Sequence, residues 1–220
     1  PRSTPLYSSA ASDVYKRQVL LSLVVAFPQI YFRVDHKSDG IYKGIELIPD
    51  SPWSARAREV QDGHPNFGSI YYKDGKGNPY LFQPLGSMVV GYMGQAFGLE
   101  INNTILLSRF VLPALSFILM YAFVFIFWKD KFLALSASAV LLFADAVLSF
   151  SGLSRLLHGL SPDSFLRMAR PVNPAMIYIL LFSFLVPFWL AYEKKNWKWG
   201  ALSAVFLGLN FFNYFKIIII

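Results

Sequence analysis

The chain has 220 residues, of which 55% are hydrophobic and only 15% are charged, and its net charge is +7. In soluble domains about a quarter of all residues are charged, so this composition is typical of a membrane protein. The 21 Phe and 12 Tyr fit lipid-facing and interfacial surfaces. Basic loops beside membrane helices account for the positive charge, and we expect no nucleic-acid partner. The lack of cysteine excludes disulfides and thiolate metal sites.

Both ends of the chain differ from what a native membrane protein would show. There is no initiator Met, and residues 8–18 resemble translated non-coding sequence. We therefore interpret residues 1–18 as a non-native leader and leave them out of the fold prediction. Because the chain stops in or just after an apolar run, at residues 217–220, we interpret it as the N-terminal part of a longer protein.

Apolar stretches predict the membrane helices, since a span needs about 20 mostly apolar residues. The expected fold is all-α: a polytopic transmembrane helical bundle with a long outer loop that carries short amphipathic helices. The first membrane helix is truncated and helices 2–5 lie within residues 104–216; the apolar stretches are 19–32, 104–128, 132–152, 173–192 and 199–215. The outer loop covers residues 33–103. Within it, residues 84–99 are apolar but Gly-rich and predict a re-entrant or interfacial helix, with a membrane span as the alternative.

Lysine and arginine in short loops predict the orientation of the bundle. The turn at residues 128–131 and the turn at 193–198 are both basic, and they fall on one side if residues 84–99 do not cross. We expect that side to be cytoplasmic, so that loops 33–103 and 154–171 lie outside. The second of these outer loops breaks the rule because it is rich in arginine, which invites an anion-binding role; contact with lipid headgroups is the alternative.

The outer loop begins with a short polar helix. Ser51 and Pro52 favour a helix start and Gly63 favours its end, so the sequence predicts a helix over residues 53–62. Asp50 stands just before it and has two compatible roles. It can cap the helix, and it can act as the general base on an acceptor. We take it as the candidate catalytic residue.

Arg56 and Arg58 lie two positions apart, so on a helix they point about 200° from each other and cannot both face one ligand. One is expected to face a site while the other is solvated or pairs with Glu59 or Asp62. His64 follows the glycine and is more often structural than catalytic. No second histidine stands at metal-ligand spacing, so we expect no metal site.

Two charged residues stand inside apolar stretches, where charge is costly and needs a partner or a cavity. Arg109 and Asp145 both lie roughly 7–10 Å from the outer ends of their predicted helices. We expect them to form an ion pair with a structural role.

The outer mouth of the bundle carries a second set of candidates. Arg170 precedes Pro171 and Pro174, which fix the backbone where the loop enters the next helix. A guanidinium there can bind a lipid phosphate through two hydrogen bonds, or else extend to headgroups. The further candidates for phosphate or substrate binding are Arg167, His158, Arg58 and Asn173. We expect Asp50 and Arg170 to border one cavity at the outer surface. The polar outer half of the last helix is expected to line the same cavity, with Asn210, Asn213, Tyr214 and Lys216.

Several short motifs occur in a characteristic order. They are Asp50, Ala57-Arg58-Glu59, Asp62-Gly63-His64, Gln83-Pro84-Leu85-Gly86 and Ser108-Arg109-Phe110. In this order the chain resembles the GT-C superfamily of integral-membrane glycosyltransferases, in particular bacterial relatives of protein O-mannosyltransferases and lipid A aminoarabinose transferases. The chain departs from the pattern at Ser51, Trp53 and Gln83, where relatives have Glu, Tyr and Pro.

The resemblance implies transfer of a sugar from a polyprenyl-phosphate donor to a lipid, glycan or protein acceptor at the outer face of a bacterial inner membrane. Asp50 would then orient or deprotonate the acceptor, and Arg170 or a neighbour would hold the donor phosphate. No cofactor is identified, and use of a divalent cation is left open. The alternatives are a transporter or flippase-like protein for lipid-linked sugars without catalytic activity, and a membrane assembly factor whose charged loop binds a partner protein.

Overall fold

The structure, a computed structural model, describes residues 5–35, 51–66, 84–143 and 174–214. Within these ranges every regular element is an α-helix and no strand occurs, so the predicted all-α class is confirmed for them. The helices of the described ranges are α1 (Pro5–Asp35), α2 (Ser51–Gln61), α3 (Leu85–Phe97), α4 (Ile101–Trp128), α5 (Lys131–Leu142), α6 (Ala175–Lys194) and α7 (Trp197–Tyr214).

Helices α4 and α6 are long and apolar enough to cross a membrane. Only 33% of the most apolar 18 residues of each is buried within the molecule, whereas the core helix of a soluble protein is mostly buried. Large apolar side chains also remain exposed on α1 and α7, among them Phe27 and Val205 at 60% each. These surfaces fit contact with lipid.

Helix α4 lies at the centre and packs against α1, α2, α3, α5 and α6. Its start is tied to the end of α1 by Arg33, whose Nη1 donates to Asn103 Oδ1 at 2.6 Å. The two helices are therefore antiparallel. Helix α1 contains the predicted first membrane helix and extends through part of the predicted leader. It buries a narrow face of small residues, Ser22, Val25 and Ala26.

Helix α6 runs parallel to α4. Ser116 Oγ donates to Ala175 O at 3.2 Å, and further along the rings of Phe123 and Phe182 are 5.6 Å apart. Near the ends of both helices the rings of Phe127 and Trp189 are 4.2 Å apart. Because these contacts advance in the same direction, the ends of α4 and α6 lie at one end of the molecule. Helix α7 then returns beside α6 and reaches α3.

Several polar side chains within the apolar helices donate hydrogen bonds to backbone carbonyls. Ser116 and Ser138 each donate to the carbonyl four residues earlier, at 2.9 and 2.6 Å, and Asn210 does the same at 2.9 Å. Ser203 on α7 donates to Phe184 O at 3.2 Å, next to the interruption that Pro187 makes in α6. Such internal satisfaction is what an environment without water demands.

Two helix–helix turns form what we call the basic corners: residues 128–131 between α4 and α5, and residues 194–198 between α6 and α7. In each, a lysine with positive φ ends one helix, Lys129 at 56° and Lys195 at 49°. An Asx residue then caps the next helix. Asp130 Oδ1 accepts from Phe132 N and Leu133 N at 2.8 and 2.9 Å, and Asn196 Oδ1 accepts from Lys198 N at 3.0 Å.

The remaining helices differ in length from the sequence predictions. Helix α3 has 13 residues, which extend about 20 Å and are too short to cross about 30 Å of hydrocarbon. This agrees with an interfacial or re-entrant helix. Helix α5 covers the first part of the predicted stretch 132–152, and residues after 143 lie outside the described ranges. Among the described residues, only α4 and α6 qualify as candidate spans, so α7 is a helix as predicted but is not identified as a span.

Candidate functional site

Helices α2 and α3 form a compact hairpin against the start of α4, and we call this the hairpin end of the molecule, with the end of α1 beside it. The hairpin closes through two glycines of α3. A Cβ atom at Gly91 would lie 2.5 Å from Val60 Cβ and 2.7 Å from Ala57 O, and a Cβ at Gly94 would lie 2.6 Å from Thr104 Oγ1 and collide with Gln61 Nε2. Close approach to backbone therefore requires glycine at Gly91, whereas a Cβ at Gly94 would displace the side chains of Gln61 and Thr104.

Both helices of the hairpin end in the same way. After α2, Gly63 N donates to Val60 O at 3.0 Å and His64 N to Glu59 O at 2.8 Å, with Gly63 at φ +88°. After α3, Gly98 N donates to Gln95 O at 3.2 Å and Leu99 N donates to Gly94 O at 3.0 Å. This is the Schellman motif, which uses glycine in the left-handed conformation. The prediction that Gly63 ends the polar helix is confirmed.

Glutamine side chains lock the hairpin to α4. Gln61 Nε2 donates to Thr104 Oγ1 at 2.9 Å and to Leu99 O at 3.3 Å. Gln95 Nε2 donates to Val60 O at 2.8 Å and to Gln61 O at 3.2 Å, which satisfies carbonyls at the end of α2. Sequence reasoning missed both glutamines because a polar amide in an interfacial helix has no spacing that marks its partner.

The two arginines of α2 face opposite ways, as their spacing predicted. Arg56 is only 7% exposed, and its guanidinium carbon lies 5.1 Å from the centre of the Trp53 ring. Arg58 is exposed, and its Nε lies 3.4 Å from Asp62 Oδ2. The spacing could not tell which arginine turns inward. The structure assigns that position to Arg56, whereas Arg58, the predicted phosphate ligand, lies at the surface with Asp62.

Arg109 is 3% exposed, on the face of α4 that packs within the molecule. This burial agrees with the structural role predicted for it. Its predicted partner, Asp145, lies outside the described residues, so the ion pair remains a prediction.

Most of the other candidates also lie outside the described residues: Asp50, His158, Arg167, Arg170 and Asn173. Helix α2 starts at Ser51, and the capping role of Asp50 stays a prediction. The predicted cavity shared by Asp50 and Arg170 is not tested. His64 is exposed. On α7, Asn213 is buried and Asn210 bonds its own helix, both in the half nearer the hairpin end.

The described residues contain no group of three or more His, Asp or Glu side chains placed to hold a metal ion. What the hairpin end offers is a buried arginine against a tryptophan, an exposed arginine–aspartate pair and an exposed histidine. Of these groups, Arg58 and His64 are exposed at the surface, whereas Arg56 is buried.

The described part of the molecule is thus a helical protein that combines apolar helices with a helical hairpin at one end. Comparison with family models, curated proteins and solved structures found no match.

Proposed function

We propose that the chain is part of a polytopic membrane glycosyltransferase of the GT-C type, which moves a sugar from a polyprenyl-phosphate donor to an acceptor at the outer face of the membrane. The observation that supports this proposal most is the packing of the motifs that carry the resemblance. Ala57-Arg58-Glu59 and Asp62-Gly63-His64 lie on the hairpin, and Ser108-Arg109 lies in α4, two turns below its start. The bond from Gln61 to Thr104 joins these segments across 43 residues of sequence.

In this proposal the hairpin covers the site on its outer side. Asp50 immediately precedes α2 in the sequence, and α2 is held against α4 by the bond from Gln61 to Thr104. Its carboxylate takes the proton of the acceptor hydroxyl as the new bond to the anomeric carbon forms. The bond from that carbon to the phosphate oxygen breaks, and the polyprenyl phosphate departs.

The departing phosphate gains negative charge and needs cationic hydrogen-bond donors. Arg170 is the proposed principal ligand, with Arg167, His158 and Asn173 beside it. Arg58 is exposed on the hairpin, where its guanidinium could approach a lipid phosphate from the surface, whereas the inward Arg56 supports Trp53. In this proposal the end of the molecule that carries the basic corners faces the cytoplasm.

The proposal is tested by measuring sugar transfer from a polyprenyl-phosphate donor by the protein in proteoliposomes. Asp50→Asn should reduce transfer by about 100-fold or more, the usual effect of removing a general base. The control is Glu100→Gln, an exposed acid between α3 and α4 that lies outside these motifs, and this variant should retain transfer. Wild-type transfer by Asp50→Asn would remove Asp50 from the mechanism. Movement of lipid-linked sugar across the bilayer without any transfer would favour the transporter alternative.

A further inference from the structure

The basic corners lie at the end of the molecule opposite the hairpin, and a row of aromatic rings connects them. The row runs from Trp128 through Phe127 and Trp189 to Tyr192, with successive ring centres 4.8, 4.2 and 5.7 Å apart. Trp128 belongs to the first corner, and Tyr192 lies two residues before the second. The two corners therefore form one continuous surface.

This surface combines exposed rings with exposed amines. Trp128 is 58% exposed, Tyr192 74% and Trp197 77%. Five exposed lysines surround them, against the two acids Asp130 and Glu193: Lys129, Lys131, Lys194, Lys195 and Lys198. One of these acids, Asp130, already accepts two backbone hydrogen bonds as a helix cap. The charge that the surface presents is thus strongly positive.

Two of the lysines occupy positions that the backbone alone would not favour. Lys129 and Lys195 have positive φ at the ends of α4 and α6, where glycine or asparagine is the usual residue. A lysine thus occupies the left-handed position at both corners of this surface, although glycine adopts that conformation with less strain.

We propose that the two basic corners together bind the phosphate-bearing headgroups of anionic phospholipids in the leaflet that they face. Tryptophan and tyrosine place their rings at the level of the headgroups, and lysines beside the ends of apolar helices are attracted to anionic lipid. The apolar helices α4 and α6 lead directly into this surface, which favours a lipid partner over a soluble one. The inference does not depend on sugar transfer.

The test uses tryptophan fluorescence of the chain in bilayers that mix phosphatidylcholine with phosphatidylglycerol brominated in its acyl chains. Four of the five tryptophans, Trp128, Trp189, Trp197 and Trp199, lie at or beside the basic corners, so quenching reports the lipid bound there. The dependence of quenching on lipid composition gives the preference for the anionic lipid.

We expect the wild-type chain to prefer phosphatidylglycerol by about fivefold or more, the factor for one lysine near an anionic surface. The variant Lys129→Asn/Lys195→Asn keeps residues that tolerate positive φ, so it should fold but lose at least half of that preference. Lys129→Arg/Lys195→Arg keeps the charge and should keep the preference. Soluble glycerol phosphate should not compete, because the headgroups are bound within a bilayer.

No preference in the wild-type chain, or an equal preference in the asparagine variant, would overturn the proposal. Competition by soluble glycerol phosphate would also overturn it, since the surface would then be a site for a free phosphate. Circular dichroism and thermal unfolding in pure phosphatidylcholine identify any variant that fails to fold, and Lys195→Asn alone then provides the same comparison.

Discussion

The lack of a Cβ atom at Gly91 allows the two helices of the hairpin to pack closely. Gly91 brings the backbone of α3 onto Val60, whereas Gly208 of α7 has open space around it. The same substitution should therefore have opposite effects at the two positions. Close approach rather than flexibility is the reason for glycine at Gly91.

We predict that Gly91→Ala destabilises the protein by about 1–3 kcal/mol, the usual effect of overpacking. Gly208→Ala should be neutral or stabilise by up to about 1 kcal/mol, because alanine favours a helix. Thermal unfolding in detergent measures both. Equal melting temperatures for the two variants would show that the hairpin does not close at Gly91.

The amide of Gln61 should be coupled energetically to the hydroxyl of Thr104. A double-mutant cycle with Gln61→Ala and Thr104→Val should give a coupling of about 0.5–1.5 kcal/mol, typical of one hydrogen bond. Gln61→Ala with Ser138→Ala is the control, since Ser138 bonds its own helix and should show no coupling. A cycle on Thr104 that gives no coupling either would mean that the hydrogen bond between Gln61 and Thr104 does not stabilise the packing of the hairpin on α4.

At the scale of the elements, the sequence predicts helices better than it predicts their neighbours. The apolar runs and Gly63 identify α2, α4 and α6, because these signals are local. The parallel arrangement of α4 and α6 depends on contacts such as Ser116 with Ala175, 59 residues apart. No local pattern encodes such a pair. The bond between Arg33 and Asn103 was missed for the same reason. That Arg56 rather than Arg58 turns inward could be seen only once its contact with Trp53 was known.

The first basic corner depends on a helix cap. Asp130→Ala should destabilise α5 by about 1 kcal/mol through the loss of bonds to two backbone N–H groups. Asp130→Asn should retain most of the stability because asparagine also caps well. Amide hydrogen exchange at Phe132 and Leu133 is the direct measurement. Unchanged protection in Asp130→Ala would contradict the role of the cap.

At the scale of the whole molecule, the parallel helices place both basic corners at one end and the hairpin at the other. If α4 and α6 cross a bilayer, we expect the corners and the hairpin to lie on opposite sides of it. The chain has no cysteine, so single cysteines can be introduced without any background. In sealed vesicles, Lys131→Cys and Lys195→Cys should react together with a membrane-impermeant maleimide, and Asp62→Cys should react only from the opposite side. Labelling of positions 131 and 195 from opposite sides would exclude the parallel arrangement.

The bond between Arg33 and Asn103 also has a consequence for biosynthesis. Its partners are 70 residues apart, so at about 5–20 residues per second α1 is complete roughly 4–14 s before the start of α4 is synthesised. During that interval the face of α1 that holds Ser22 has no α4 to cover it. In a nascent chain at this stage, neither the bond from Arg33 to Asn103 nor the packing of α1 against α4 can yet have formed.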